Sequence, residues 1–360
     1  MTNAEPRVIT DNMVVSVHTG ARGIQLFQFA PDDYAQLTWG RRMSDASACD
    51  ITCPAADLSR LDRVEPWRDW ASVYDDDNGQ MLWTGPITAA RENRTGIAIS
   101  AKDHMTYLSR SRVPITKRWD ARDPSIVAGE LWRAMADHHG VGRATAVVRP
   151  DPEGQRYDYD VTKDGQTLDQ VFNDLAGMGM RYSVVAGTPI FGPLGRQPVA
   201  TLSEDDFEGD GITFVKDGTA VVNDVLVRGN GLNARARTDL YGLNLQALIN
   251  RDSLEGISNI QSAANAYVKE TGRVTTRLEL APNTTLKPTA PVTLDDLMPT
   301  NRFVIEARGI RQLFELTAAE FDRQAAGTAI RVTMNSVNVK LELDESNGGG
   351  GQVRGGAANR

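Results

Sequence analysis

The stretch Asn78–Ile87, NGQMLWTGPI, decides how the chain is read. Asn78-Gly79 is the dipeptide that most readily takes both positive-φ positions of a tight hairpin turn, which makes DWASVYDD before it and MLWTGPI after it a pair of strands. Gly85-Pro86 then bends the outgoing strand, because proline cannot continue a ladder of hydrogen bonds. Trp83 stands between turn and bend, so its indole is either a binding platform or a wall.

Working outward, the chain from Met13 to about Lys102 reads as strand after strand: MVVSVHTG, GIQLFQFA, AQLTWGRRM, ACDITCP, DWASVYDD, MLWTGPI and TGIAISAK, separated by Gly, Pro, Asp and Asn clusters. Short strands at regular spacing predict a sandwich or barrel. The acidic run DDDNGQ falls at a hairpin tip, and a calcium loop does not fit there because Pro86 occupies the place of the twelfth-position acid. Cys49 and Cys53 alternate along one strand, about 13 Å apart, too far for a mutual disulfide; they are expected to be small buried hydrophobes on one sheet face.

Beyond Lys102 the periodicity changes and three helices carry start and stop chemistry. RDPSIVAGELWRAMADHHG offers Asp123 as N-cap, Pro124 at the first helical position, Val127, Leu131, Ala134 and Met135 on one face, and Gly140 past the end. DGQTLDQVFNDLAGMG pairs Thr167 with Gln170 in a capping box, buries Leu168, Val171, Phe172 and Leu175, and stops at Gly177. GISNIQSAANAYVKETG pairs Ser258 with Gln261 and is expected to bury Ile257, Ile260, Ala264 and Tyr267 or Val268. Strands resume around and after them, ending in an alternation that sets Val337, Val339, Leu341 and Leu343 on one face. The glycine-rich end reads as a flexible tail.

The 360 residues predict two or three domains, with 41% hydrophobic and 24% charged residues to build them. A net charge of -8 argues against a protein that grips nucleic acid by neutralising phosphates. The polar start and the lack of an 18-residue apolar run predict synthesis in the cytoplasm without membrane insertion.

Chemistry is sparse. The four histidines are His18, His104, His138 and His139; the last two sit at a helix C-terminus, where a cation suits the exposed carbonyls and needs no metal. No His-Glu-x-x-His pair, serine elbow, phosphate loop or dinucleotide fingerprint occurs. Asp206, Glu208, Asp210 and Asp217 mimic a calcium loop in spacing, but the chain beyond Gly211 reads as strand, so an acidic β-turn is the expected structure and calcium the sharper alternative. Paired carboxylates for glycoside hydrolysis cannot be picked out of 47 acids by spacing. The six tryptophans could stack on glycans; yet Trp67 and Trp70 would face opposite ways in a strand, and core anchors are the expected role.

The order of features carries more than any one motif. A β-domain ending in LWTGPITAARENRTGIAISAKDHMTYLSRSRV is followed by capped helices, then AVVNDVLVRGNG, then NAYVKETG and APVTLDDLMPTNRFVI. This resembles the minor tail proteins that form the baseplate hub of long-tailed, siphovirus-type bacteriophages infecting actinobacteria. Trp83, Gly85 and Ile87, the segment Ala101–Arg110 with Asp103, Tyr107 and Leu108, and the segment Asn223–Gly229 with Val225 carry the likeness, which runs to about Leu343. The resemblance implies an α+β, mainly β protein: a tube-like β-barrel domain over 1–104, an α/β connecting domain over 105–200, a second β-barrel domain over 201–345 with an inserted helix at 257–271, and the tail at 346–360. It implies a virion protein of the tail tip, a homotrimer whose two similar domains imitate six-fold symmetry and cap a tail tube. Its partners would be a distal tail or tail-tube protein, the tape measure protein and other minor tail proteins. Genomic DNA would pass the lumen unbound, which an acidic lining would favour. Trp83 would be a wall. No cofactor and no enzymatic activity are expected, since no lysozyme or peptidase segment follows the hub; the rival reading is a carbohydrate-active or glycan-binding tail protein, hydrolase or adhesin.

Overall fold

Alternation puts Cys49, Ile51 and Cys53 inward and their neighbours outward along the strand Ala48–Pro54, and both thiols are free and buried, as expected. This strand lies midway along a sheet seen in the computed structural model, which describes residues 8–337 except 21, 35, 55–62, 141–144, 194, 210–211, 252–253, 255, 281–284, 308–309 and 325–326. Fifteen strands hydrogen-bond into that sheet. Its main path runs through Phe207–Glu208, Thr285–Leu286, Gly327–Ser336, Ile310–Gln324, Gln36–Arg42, Ala48–Pro54, Gly96–Lys102, Met81–Asn93, Asp69–Asp75, Met13–Thr19 and Gln25–Phe29. The seam between early and late segments is the antiparallel pairing of Gln36–Arg42 with Ile310–Gln324, where Trp39 stacks on Phe321 at 4.2 Å. The fold is mainly β, but among the described residues the two ends of the path do not pair, so the expected closed barrels are instead one open sheet.

The sheet turns a corner within Met81–Asn93. Its first half pairs with Asp69–Asp75, setting Trp83 opposite Val73; from Ile87 onward it pairs with Gly96–Lys102. Pro86 lies at the switch, as the sequence predicted. The hairpin before it differs from expectation: only Gly79 has positive φ, while Asn78 turns its amide to the Asp75 carboxylate, so the loop spans Asp75–Gln80 rather than a two-residue turn. Asp75 and Asp77 accept hydrogen bonds from this loop and from Thr10 and Asn12, which explains the acidic run without a metal.

Two cores result. The sheet encloses the first, around Trp39, Trp83, Ile87, Phe303, Phe314 and Phe321. Helices α1 (Pro124–His139), α2 (Leu168–Gly177) and α3 (Ile257–Thr271) shape the second, around Leu108, Trp119, Trp132, Phe172, Val225 and Ile260. Asp123 caps α1 through Ser125 N at 2.8 Å and Gly140 ends it in the left-handed region; in α2, Gln170 accepts from Thr167 N at 3.2 Å. α3 starts two residues earlier than the Ser258 cap predicts. Gly256 is its N-cap, Ile257 is exposed, and the buried stripe is Ile260, Ala264 and Val268. It covers one face of a separate three-stranded sheet, Leu232–Arg237, Asp224–Gly229 and Gln246–Asn250 in spatial order. Val339, Leu341, Leu343 and the tail lie outside the described residues.

Candidate functional site

The residues picked from the first motif meet where the two cores join. Trp83 is 2% exposed and donates from Nε1 to Ser47 Oγ at 3.0 Å; Ser47 Oγ donates in turn to Asp103 Oδ2 at 2.6 Å. Asp103 also accepts from Ser47 N at 2.7 Å and from Met105 N at 2.9 Å, capping the 3₁₀ stretch His104–Arg110. That stretch inserts Met105, Tyr107 and Leu108 into the second core, while Trp83 and Ile87 belong to the first. The chain Trp83–Ser47–Asp103 therefore fastens the sheet corner to the helical half. Gly85 is needed for the approach, because a Cβ there would overlap the Lys102 carbonyl oxygen and crowd Asp103 Cα.

The electrostatics are those of an enclosed joint. Burial pushes the Asp103 carboxyl up to about 6 against the pull of its hydrogen bonds. Burial holds His104 down at about 4, with the ring edge-on to Trp70 at 4.7 Å and Nδ1 without a partner. Burial raises Tyr107 to about 12, opposed by its hydrogen bond with Trp70. Nearby, His18 Nε2, Ser72 Oγ and Thr84 Oγ1 form a chain with contacts of 2.7 and 2.6 Å. Asp103 spends both carboxylate oxygens on internal hydrogen bonds, which gives the joint its packing and rigidity. His104 lies in the Ala101–Arg110 segment, where no sequence pattern assigns it a role of its own; Ser47 lies in no motif, and only the fold brings it to the carboxylate.

The second motif sits apart from the first. Asn223 is fully buried and holds the loop 238–245 from beneath: Nδ2 donates to Thr238 O at 2.8 Å and Leu243 O at 2.9 Å, and Oδ1 accepts from Leu245 N at 2.7 Å. Val225 faces α3. Gly229 admits the Leu254 and Arg251 carbonyls, which a Cβ would meet at 2.7 and 3.1 Å.

The calcium candidates are not drawn together. Asp206 Oδ2 accepts from Ser203 N and Oγ, Asp217 Oδ1 accepts from Thr219, and Glu208 is exposed at a cleft of about 360 Å³ shared with Asp11 and Gln324. Asp210 lies outside the described residues. Among the described residues no three potential ligands cluster. Trp39, Trp83, Trp119 and Trp132 are buried and Trp70 is half-buried. Trp67, expected in a strand, lies in a turn at φ 68°, 40% exposed, with the Arg110 guanidinium over its ring at 5.8 Å. His139 donates or accepts at Ser111 Oγ (2.7 Å) and stacks near Tyr107, so the helix-end histidines have a packing role.

No family model and no curated protein matches the sequence. Solved structures do match its fold. A tail protein from Neisseria meningitidis is similar at a TM-score of 0.61 with 16% identity, covering 90% of this chain and 96% of that one. A prophage tail protein from Shewanella oneidensis is similar at 0.60 with 11% identity, covering 91% and 98%. A prophage tail protein from Listeria monocytogenes is similar at 0.58 with 11% identity, covering 92% and 95%. The fold is that of phage tail proteins over nearly the whole length of each chain.

Proposed function

We propose that the protein is a structural component of the tail tip of a long-tailed phage of actinobacteria, a homotrimeric baseplate hub ring that caps the tail tube and lets DNA and the tape measure pass. The observation that carries this reading is the likeness to three tail proteins along almost the full length of both chains; a match confined to one module would say only that a common sheet had been reused. The continuous sheet supports it too, since early and late strands build one wall per chain. In this reading 1–104 and 201–345 each contribute a stretch of that wall around the connecting segment 105–200, and three copies present six such stretches to a six-fold tube. A distal tail or tail-tube protein and other minor tail proteins would flank the ring. An acidic lining would keep the passing duplex unbound.

The test is co-purification with the neighbouring tail proteins followed by imaging. The reading expects a threefold ring stacked on the tube end; a monomer that joins no tail assembly would refute it. The glycan reading loses its stacking row, because the tryptophans other than Trp67 are buried or half-buried. Incubation with cell-wall glycan should therefore release no reducing ends.

A further inference from the structure

Of the ten large apolar side chains exposed among the described residues, Leu232, Tyr241, Leu243, Leu245, Leu248 and Ile257 lie in the small module of three strands and α3. One face of its sheet is covered by α3. The registers put Arg235, Leu226 and Leu248 in one row across the other face, with Arg237 and Asp224 in the next row and Arg228 beyond Leu226 on the other side. Asp224 binds Arg235 through both oxygens, one of them at 2.6 Å, and this pairing lowers its carboxyl to about 2. One acid against three arginines makes the face basic, in a chain whose net charge is -8.

Beside the face, the loop 238–245 ends in a tight turn. Leu243 N donates to Leu240 O at 2.8 Å, and the two residues between them, Tyr241 and Gly242, both have positive φ, 53° and 76°. Such a turn favours Asn or Asp at the first of these positions, and a tyrosine there costs about 1 kcal/mol. Tyr241 is 85% exposed, so its ring recovers little of that cost by packing within the chain. A rigid aromatic held out on a strained turn, at the end of the sheet where Arg237 and Asp224 pair, has the make-up of a binding anchor.

We propose that this face, with Tyr241 as its anchor, docks onto an acidic surface of the next copy of the chain; this rests on the ring reading above. Charge complementarity selects the occupant, because the surplus of acid on the same polypeptide is what a basic apolar face seeks. It also selects the geometry. A two-fold contact would lay Arg228, Arg235 and Arg237 against the same arginines of the partner, so the face joins copies head to tail, the arrangement that closes a ring.

Tyr241→Asn and the pair Arg228→Glu with Arg237→Glu test this, with mass measured by light scattering over a concentration series and folding by thermal unfolding. Asparagine suits the turn, so Y241N should melt at or above the wild-type temperature while associating at least about tenfold more weakly. The double charge reversal should weaken association further at low salt. Wild-type assembly by variants that fold normally overturns the inference and leaves the ring reading intact, to be judged by imaging the tail tip. A wild type that stays monomeric across the whole series overturns the inference as well.

Discussion

Gly85 and the pair Asp103–His104 show how much single residues settle. Any side chain at position 85 must displace the Lys102 carbonyl, so Gly85→Ala should lower stability by several kcal/mol in urea unfolding; a loss under about 1 kcal/mol would mean the corner gives way easily. Asp103 and His104 are neighbours in sequence whose titrations pull oppositely. The folded state raises Asp103 to about 6, so it holds this proton more tightly than the unfolded chain does, and the stability from this group falls as pH rises from about 4 to about 6. The folded state depresses His104 to about 4, so stability from it rises over pH 4 to 6.5. Each amounts to about 3 kcal/mol at most. Measured by denaturant unfolding against pH, the wild-type advantage over D103N should therefore shrink across this window and that over H104Q should grow. Parallel curves for wild type and variants would contradict both. The motif around Ala101–Arg110 marked this region, but its chemistry was hidden: nothing local announces that Ser47, far back in the chain, completes the site.

Among elements, legibility followed the range of the determining interaction. α1 was readable to its caps because Asp123, Pro124 and Gly140 act on their own backbone neighbours. The start of α3 was not, because Gly256 at φ 84° takes the cap and leaves Ser258 inside the first turn. The acidic hairpin was placed correctly but given the wrong turn, since Asp75 stabilises a longer loop through its carboxylate. Trp67 was misread as strand: it turns at positive φ while its N donates to Ile87 O. Asn223 lies in a recognised motif, yet its role depends on a loop up to 22 residues on. Asn223→Ala strips three hydrogen bonds from that loop and should cost about 1–3 kcal/mol, with amide exchange accelerated at Leu245 and little changed in the large sheet. Uniform acceleration across the protein would show that the loop is not a separate unit.

At the scale of the molecule, the mainly β class was legible from strand alternation, whereas the seam was not, because no local pattern tells Gln36–Arg42 that its partner is Ile310–Gln324. This seam makes early and late segments one cooperative body. Phe321→Ala removes the ring stacked on Trp39 and should cost about 3–5 kcal/mol, with amides on both seam strands losing protection together. Protection lost on one strand alone would indicate two independent units. The ring remains the central claim, and imaging of phage particles labelled at the Gly-rich C-terminal segment tests it most directly. Three labels disposed around the tail axis at its tip are expected; a single label there, or labels distributed along the tube, would rule the ring out.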